Sequence, residues 1–464
     1  MSRTRKETDS LGEVAVPADA LYGPQTARAV ANFPVSGWRM PRAFIAAMGM
    51  IKAAAADAHK KAGRLDGPIA DAVIAAAREV AEGRHDGEFP VDVFQTGSGT
   101  STHMNANEVI ARRAGQLLAA GGSPAEVHPN DHVNMGQSSN DVVPTATHVS
   151  ASLALHTELI PALASLAEAL AAKAAEFDAV IKVGRTHLQD AVPIRLGQEF
   201  SGYAAAVHGA IDGLEAAIAG LCDLPIGGTA VGTGLNCPKG FAAEVCRRLA
   251  GETRLPFREA GNHFAAHTVP LPAVRASGAL RAAAIALSKV ANDVRWLGSG
   301  PRCGLGELAL PAVQPGSSMM PGKVNPVIPE AVIQVACQVV GGDAAIAAAA
   351  TGGVGSILEM HTAWPLIASN LLCCSRLLTN ATKVFETRCI DGLKADEARC
   401  ARLVERSLML VTGLAERIGY DAAAEIAKAA HASGRSIREV ALERKVLDEK
   451  ELDKALDARR QTGP

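Results

Sequence analysis

Apolar residues recur at helical spacing over most of the chain. Their positions lie three or four residues apart in two runs: Leu159, Leu163, Leu166 and Leu170, then Leu280, Ala284, Leu287, Ala291 and Val294. Alanine-rich stretches predict further helices over residues 42–62, over 201–221 and from Pro326 to Ala350. Shorter helices are predicted over residues 68–82, 104–120, 436–445 and 448–457. Residues 1–41 are polar and broken by Pro and Gly, which predicts an extended arm and loop.

The composition favours closely packed helices over a β-sandwich. Apolar residues make up 48% of the 464 positions, but only 3% are aromatic, whereas strands prefer β-branched and aromatic side chains. The predicted fold class is therefore all-α. The apolar surface of the long helices is too broad for one bundle in one chain, so we expect them to pack against helices of other subunits.

The net charge and the cysteine pattern indicate which partners and which cellular compartment to expect. A net charge of −2 without a polybasic run argues against binding of nucleic acid. We predict that no stretch is long and apolar enough to span a bilayer, and the charged N-terminus MSRTRKETDS is unlike a secretory signal. The nine cysteines are scattered without a CxxC pair, so we expect a cytoplasmic protein without a membrane partner.

Four polar stretches interrupt the helices: Gly97–Asn105, His128–Asp141, Gly184–Asp190 and Gly316–Glu330. Their hydroxyls and amides, with few charges, suit the binding of a small dianion. The first stretch lacks the lysine of a phosphate-binding P-loop. Pro129 lies between His128 and His132, which favours a loop over a metal site there. We therefore expect no metal and no cofactor.

The fourth stretch concentrates chemistry in a short segment rich in turn formers. Two adjacent hydroxyls, Ser317 and Ser318, precede the cation Lys323 and the amide Asn325. Its glycines and prolines predict that no continuous regular element forms there. Taken alone, the pattern is equally typical of a plain loop between two helices.

The order of these motifs along the chain is similar to that of a known family. The segment GSSMMPGKVN, Gly316–Asn325, follows FPVDVFQTGSGT, HPNDHVN, QSSND, GRTHLQDAVP and GGTAVGTGLN. Together they resemble the aspartase/fumarase superfamily, with the match covering nearly the whole chain. GSGT, QSSND and GGTAVGTG are closest to the class II (iron-independent) fumarases, since aspartases tend to have GAGT, QSTND and GATA at these places.

The resemblance implies a three-domain all-α fold with a long central helix bundle. The domains expected are an N-terminal helical domain, 1–137, a central bundle, 138–360, and a C-terminal helical domain, 361–464. The family assembles as a homotetramer with a shared helical core. Each active site is expected to be shared between three chains.

The activity implied is that of a fumarate hydratase, which adds water reversibly and anti to fumarate and gives L-malate. The intermediate is an aci-carboxylate dianion, which the site must stabilise more than it stabilises the substrate. Ser317 matches the catalytic base, and His187 matches the group that protonates the departing hydroxyl. Lys323, with Asn325, would stabilise the dianion. Glu330 would orient and charge His187, a role favoured over the simpler interpretation as a carboxylate in a helix's first turn.

The resemblance also implies binding residues for the dicarboxylate substrate. They are Ser98, Thr100, Ser138, Ser139, Asn140, Thr186, Ser318 and Asn325. A second, peripheral dicarboxylate site would use His128, Asn130 and Asp131. Neither Ala125 nor Glu126 supplies an arginine there, which puts that second site in question.

Two positions depart from the family pattern, and two other functions stay open. His103 stands where the family usually has Asn before Met, and His361 stands where it has the Asn of an ELN sequence. These imidazoles are either unrelated sequence drift or a change in the pocket that adds a pH-dependent charge.

The first alternative function is an aspartate ammonia-lyase of the same superfamily. The second is an inactive structural or binding protein, which the intact Ser317 and Lys323 argue against.

Overall fold

The computed structural model describes residues 3–463 and confirms that helices dominate the fold. The helices are α1 Pro24–Asn32, α2 Arg42–Lys61, α3 Gly67–Ala81, α4 Thr100–Ala120, α5 Ser139–Ala154, α6 Ile160–Glu176, α7 Leu196–Leu221, α8 Phe241–Thr253, α9 His263–Thr268, α10 Leu271–Leu297, α11 Val327–Ala350, α12 Trp364–Phe385, α13 Glu397–Arg406, α14 Thr412–Ile418, α15 Tyr420–Ser433, α16 Ile437–Glu443 and α17 Glu449–Ala455. A single π-helical turn, Leu155–Leu159, joins α5 to α6, so that one helix continues over Ser139–Glu176.

The strands are short and form five two-stranded ribbons. They are β1 Thr4–Asp9, β2 Gly12–Pro17, β3 Ile181–Thr186, β4 Gln189–Arg195, β5 Asp223–Leu224, β6 Arg258–Glu259, β7 Leu308–Ala309, β8 Ser356–Ile357, β9 Met360–His361 and β10 Lys394–Ala395. β1 pairs with β2, β3 with β4, β7 with β10 and β8 with β9, all antiparallel, while β5 and β6 are parallel.

The chain divides into two compact units, each built from three segments. The first unit contains the residues up to Pro161, Asp212–Ala284 and Cys337–Thr379. The second contains Ala162–Ile211, Ile285–Ala336 and the residues from Asn380 onward. The division into domains 1–137, 138–360 and 361–464 stays a prediction.

In the first unit, small side chains allow α2, α3, α4, α5 and α8 to bury one common core. Alanines supply much of it, and Phe44, Met48 and Ile51 of α2 are almost fully buried. Helix α5 begins with a capping box, in which the Ser138 side chain accepts from the backbone and the Asp141 carboxylate accepts from the Ser138 N–H. The cap fixes where the polar stretch before α5 ends.

In the second unit, the hairpin β3–β4 lies against the C-terminal helices. Val183 of β3 belongs to a buried cluster with Val404, Leu410, Leu414 and Ile426. The hairpin is thus held by apolar burial on its C-terminal side. Its tip carries Thr186 and His187, the third polar stretch of the sequence.

Several element boundaries differ from the prediction because proline and glycine were given too much weight. Pro24 lies at the start of α1, where its fixed φ suits a first helical turn. Helix α4 begins at Thr100 rather than at residue 104. The helix predicted after Pro326 is confirmed, because α11 begins at Val327, and Pro329 lies in its first turn.

The prediction about bilayer-spanning length is also wrong. Ser139–Glu176, Leu196–Leu221 and Val327–Ala350 are long and apolar enough by length and composition, with best 18-residue mean hydropathies of 1.3, 1.2 and 1.5. The alanines of these helices are individually only mildly apolar, but their contributions add over 18 residues. Only 33% of the Val327–Ala350 window is buried, so much of its apolar surface is exposed within one chain.

Candidate functional site

Ser317 accepts two backbone hydrogen bonds within its own loop. The Met319 N–H lies 3.1 Å from Ser317 Oγ and the Met320 N–H lies 2.9 Å from it. Both donors would stabilise negative charge on that oxygen, as an oxyanion hole does. The geometry therefore lowers the cost of using a serine oxygen as a base.

The ends of this loop are tied together through Gly316. Its N–H donates to the Lys323 carbonyl at 2.7 Å, and the Asn325 amide nitrogen donates to the Gly316 carbonyl at 2.6 Å. A Cβ at residue 316 would lie 2.7 Å from the Asn325 backbone nitrogen, so only glycine fits. The Asn325 amide thus closes the loop, and its contact with substrate stays a prediction.

The remaining predicted residues of this stretch differ in exposure. Ser318 and Lys323 are exposed, whereas Glu330 is half-buried in the first turn of α11. Within residues 3–463, no hydrogen bond or ion pair joins Glu330 to a histidine, so its position matches the simpler interpretation as a helix N-terminal carboxylate. Its role with His187 stays a prediction that one chain alone does not test.

His187 lies at the exposed tip of the hairpin β3–β4. Thr186 pairs with Gln189, which makes His187 and Leu188 a two-residue turn. Both have left-handed backbone conformations, with φ of 57° and 62°. Hairpin turns of this shape favour Asn and Gly, because any other residue in the left-handed conformation raises the conformational energy by about 1 kcal/mol. Such strain is typical of functional sites, and here it presents the imidazole beyond the sheet.

A buried ionic cluster anchors the base of this hairpin. Arg185 forms two parallel hydrogen bonds with the fully buried Glu307, at 2.9 and 3.0 Å. Lys182 is also buried and lies 3.5 Å from Glu307 and 3.2 Å from Glu199. A cavity of about 370 Å³ adjoins the cluster and is also lined by His187. The cluster holds the strand that leads directly into Thr186 and His187.

In the first unit, Ser98 and Thr100 lie side by side where α4 begins. Their hydroxyl oxygens are 2.9 Å apart. Gly97 lies so close to the segment after β9 that a Cβ there would be 1.9 Å from the Thr362 carbonyl oxygen. The neighbouring His361 is buried and bonds the Ala349 carbonyl at 3.1 Å, and burial lowers its pKa to about 4. His361 therefore braces this segment as a neutral side chain.

Ser138, Ser139 and Asn140 form the start of α5, and Asp141 positions them. The Asp141 carboxylate accepts from the backbone N–H groups of Ser138, Gly227 and Thr229, at 2.9, 3.1 and 3.0 Å. Burial raises the pKa of Asp141 to about 6. Asn140 donates to the Ala230 carbonyl at 2.7 Å. The turn 227–230 is thus fastened to this stretch, a role for Asp141 that the sequence did not reveal.

His103 links the first two polar stretches. Its Nδ1 lies 2.8 Å from Ser139 Oγ, and its Nε2 lies 2.7 Å from Lys52 Nζ. Lys52 also donates to Asn134 Oδ1 at 3.0 Å and to Gln137 Oε1 at 2.9 Å. Burial lowers the pKa of Lys52 to about 7, and it holds the pKa of His103 well below its usual value. Lys52 was missed because a lysine in an alanine-rich helix resembles a solvated charge.

The residues of the predicted second dicarboxylate site lie at the turn before α5. His128 Nδ1 accepts from the Asp131 N–H at 3.2 Å. His128 and Asn130 line an open cleft of about 860 Å³, and Asp131 does not line it. Arg112 lines the same cleft and forms an ion pair with Glu7 at 2.8 Å. An arginine is thus present from α4 although residues 125 and 126 supply none.

The structure brings the predicted residues together in part. Ser98, Thr100 and the Ser138–Asn140 stretch lie in the first unit, and the Ser139–His103 bond joins the two stretches. Thr186, His187, the Ser317 loop and Glu330 belong to the second unit. Among residues 3–463, no hydrogen bond joins His187 to Ser317 or Lys323, and no group of three His, Cys, Asp or Glu side chains could hold a metal ion.

Comparison with protein families matches most of the chain with two family models. The family described as Lyase matches residues 12–341, and the family described as Fumarase C C-terminus matches residues 410–463. The chain is 51% identical to the class II fumarate hydratase of Corynebacterium glutamicum over 459 residues, which cover 98% of this chain and 95% of that protein. The class II fumarate hydratase of Mycobacterium tuberculosis is 51% identical over 458 residues, with the same coverage of 98% and 95%.

Comparison with solved structures extends the similarity to the fold. The crystal structure of class II fumarase from Schistosoma mansoni matches with a TM-score of 0.95 and 41% identity, covering 100% of both chains. A fumarate lyase:delta crystallin from Brucella melitensis, crystallised with cobalt, matches with a TM-score of 0.94 and 46% identity over 100% of both chains. These similarities concern the whole length of the chain.

Proposed function

The chain belongs to the class II fumarate hydratase family of lyases, and from this membership we infer that it interconverts fumarate and L-malate by reversible anti-addition of water. The observation that carries the proposal is the pair of N–H groups directed at Ser317 Oγ, 2.9 and 3.1 Å away. A serine in a plain turn can also accept such local bonds. A base that must hold negative charge does need them.

In the direction of malate dehydration, we propose that Ser317 Oγ, as the alkoxide, takes the proton from the carbon next to a carboxylate. The electron pair left behind passes into that carboxylate and gives the aci-carboxylate dianion. The Lys323 ammonium stabilises this charge. The dianion then expels the hydroxyl from the adjacent carbon, and His187 supplies the proton with which it leaves as water. Glu330 stabilises the imidazolium.

The neutral donors of the first two stretches suit the carboxylates of a small dianion. We propose that Ser98, Thr100, Ser138, Ser139, Asn140, Thr186, Ser318 and Asn325 bind fumarate and L-malate. Hydroxyl and amide donors hold a carboxylate without quenching the charge that develops in the transition state. His128 and Asn130, with Arg112 on the same cleft, suit a second dicarboxylate site, to which we also assign Asp131.

Fumarate formation tests the activity against its alternatives. We expect ultraviolet absorbance of fumarate to increase rapidly with L-malate as substrate and to increase little or not at all with L-aspartate. A faster reaction with aspartate would identify an ammonia-lyase. No reaction with either substrate, from protein shown to be folded and assembled, would favour an inactive scaffold.

We further propose a homotetramer in which three chains contribute to each active site. The support is the apolar surface of α11, which is only 33% buried over its most apolar window. Soluble monomers rarely leave so large an apolar face uncovered. The nine free cysteines fit a reducing compartment, so we assign the protein to the cytoplasm and infer that other copies, rather than lipid, cover these helices.

A charge on α11 should disrupt this assembly. Val340 is 43% exposed on α11, and Val340→Asp would bury a carboxylate in the proposed interface, at a cost of several kcal/mol. We expect light scattering to show smaller species and malate dehydration to be lost with the tetramer. Leu442→Asp is the control, since Leu442 is 40% exposed on α16, outside the long helices. A stable, active monomer of the unaltered protein would overturn the assembly.

A further inference from the structure

We propose that Lys52 and His103 are positioning residues that set the direction of the Ser139 hydroxyl, so that its hydrogen points toward a substrate carboxylate. The inference rests on the proposed role of Ser139 in substrate binding. It adds a relay of two side chains behind that contact, and neither has been placed in the substrate site itself.

The relay begins at Lys52, whose ammonium group has one acceptor for each of its three N–H donors. Lys52 Nζ lies within 3.0 Å of three acceptors, His103 Nε2, Asn134 Oδ1 and Gln137 Oε1. An ammonium group has three N–H donors and no acceptor. The two amide oxygens are themselves fixed, because Asn134 donates to the Gln137 carbonyl and Gln137 donates to the carbonyls of Val133 and Met135.

The charged lysine determines the tautomer of His103. Because the ammonium can only donate, His103 Nε2 must accept, and the proton of the neutral imidazole lies on Nδ1. Nδ1–H then donates to Ser139 Oγ, 2.8 Å away. The hydroxyl oxygen is occupied as an acceptor, so its own hydrogen is free to point away from His103. Within residues 3–463, His103 is the only side chain that forms a hydrogen bond with Ser139 Oγ.

Loss of the proton from Lys52 reverses the two bonds that run from Lys52 through His103 to Ser139, while the bonds to the Asn134 and Gln137 oxygens persist. A neutral amine has a lone pair, so Nε2–H of His103 donates to Lys52 and Nδ1 becomes an acceptor. The Ser139 hydroxyl then turns inward and no longer donates to substrate. Burial lowers the pKa of Lys52 to about 7, and the attraction of Asp141, from the start of α5, opposes that decrease. His103 of α4 is the other titratable group in contact with Lys52.

Two amide variants of His103 separate the relay from simple structural support. Asn places its amide nitrogen near the Nδ1 position and can still donate to Ser139, whereas the longer Gln places it near Nε2, toward Lys52. We expect His103→Gln to raise KM for malate about tenfold, the value of one hydrogen bond to a charged group, with little change in kcat. We expect His103→Asn to keep KM near the unaltered value.

The pH profile gives a second readout. KM of the unaltered protein should increase as the pH rises through about 7, where Lys52 loses its proton. In His103→Asn this increase should be reduced, because an amide N–H donates whatever the charge of Lys52. Equal KM values for the Asn and Gln variants, or an unaltered pH profile in His103→Asn, would overturn the relay.

Ser139→Ala distinguishes failure of the relay from failure of the proposed site. If Ser139 binds substrate, Ser139→Ala raises KM, and adding His103→Gln raises it no further. An unchanged KM in Ser139→Ala would refute the substrate contact itself. His148→Gln is the matched control, because His148 is an equally buried histidine of α5 that bonds the Asp223 carbonyl at 2.9 Å. It should leave KM and its pH profile unchanged.

Discussion

Ser317→Ala should lower kcat for malate dehydration by about a thousandfold, within the range expected for loss of a positioned base. The substitution removes the oxygen on which the Met319 and Met320 N–H groups converge. It leaves the loop closure through Gly316 and Asn325 intact. KM should change little, because the proposed base would act on the reacting carbon rather than on the bound carboxylates. Steady-state kinetics with malate and with fumarate give kcat and KM for dehydration and for hydration.

Ser318→Ala is the paired variant for this experiment. Ser318 is the adjacent hydroxyl, it is exposed, and it is proposed to bind substrate rather than to take a proton. Its loss should affect mainly KM. Light scattering and circular dichroism should show both variants folded and assembled. High turnover in Ser317→Ala, with turnover lost in Ser318→Ala, would move the base to the second serine.

The long helices were predictable because their pattern repeats over many turns. The leucines from Leu159 to Leu170 keep one phase, and the structure places them in one continuous helix. The ends of the helices were less predictable, because each end depends on a few capping and turn residues rather than on a repeating pattern. Gly99 precedes α4 with a φ of 77°, so the glycine-rich stretch ends earlier than its composition suggests. Pro24 was taken as a breaker although it lies in the first turn of α1.

The residues of the proposed site were predictable only where they belong to a recognisable sequence motif. Ser317, Lys323 and the Ser138–Asn140 stretch were identified by resemblance, but the donors that serve Ser317 are backbone groups, which no sequence pattern displays. Lys52 lies far from Ser139 in sequence, and only folding brings α2 against α4 and α5. His103 was noticed as a departure, yet its partner could not be named without coordinates.

The proposed assembly would explain why one chain does not bring His187 and Ser317 together. His187 is presented on a strained turn that the Glu307 cluster holds in place, and Ser317 lies in a separate loop that has its own hydrogen bonds. Each piece has its own supporting hydrogen bonds, and within residues 3–463 no hydrogen bond joins His187 to Ser317. Such pieces suit a site completed by other copies, which is why disruption of α11 should abolish activity without touching a catalytic group.

Loss of the Lys323 charge should have an effect of similar size to loss of the base. Lys323→Met keeps the length of the side chain and removes the ammonium, and we expect kcat to fall about 10²- to 10³-fold, as when one transition-state donor is removed. The reason is that the intermediate carries one more negative charge than the dianionic substrate, with two charges on its aci-carboxylate group, so the cation stabilises it preferentially.

Lys323→Arg should recover part of this loss, because it restores the charge with a different geometry. Lys428→Met is the control, since Lys428 is an exposed lysine paired with Glu425 in the C-terminal helices, and it should leave kcat unchanged. If Lys323→Met instead raised KM and kept kcat, the lysine would bind substrate and intermediate equally. The stabilisation of the dianion would then have to come from the N–H groups of the Ser317 loop.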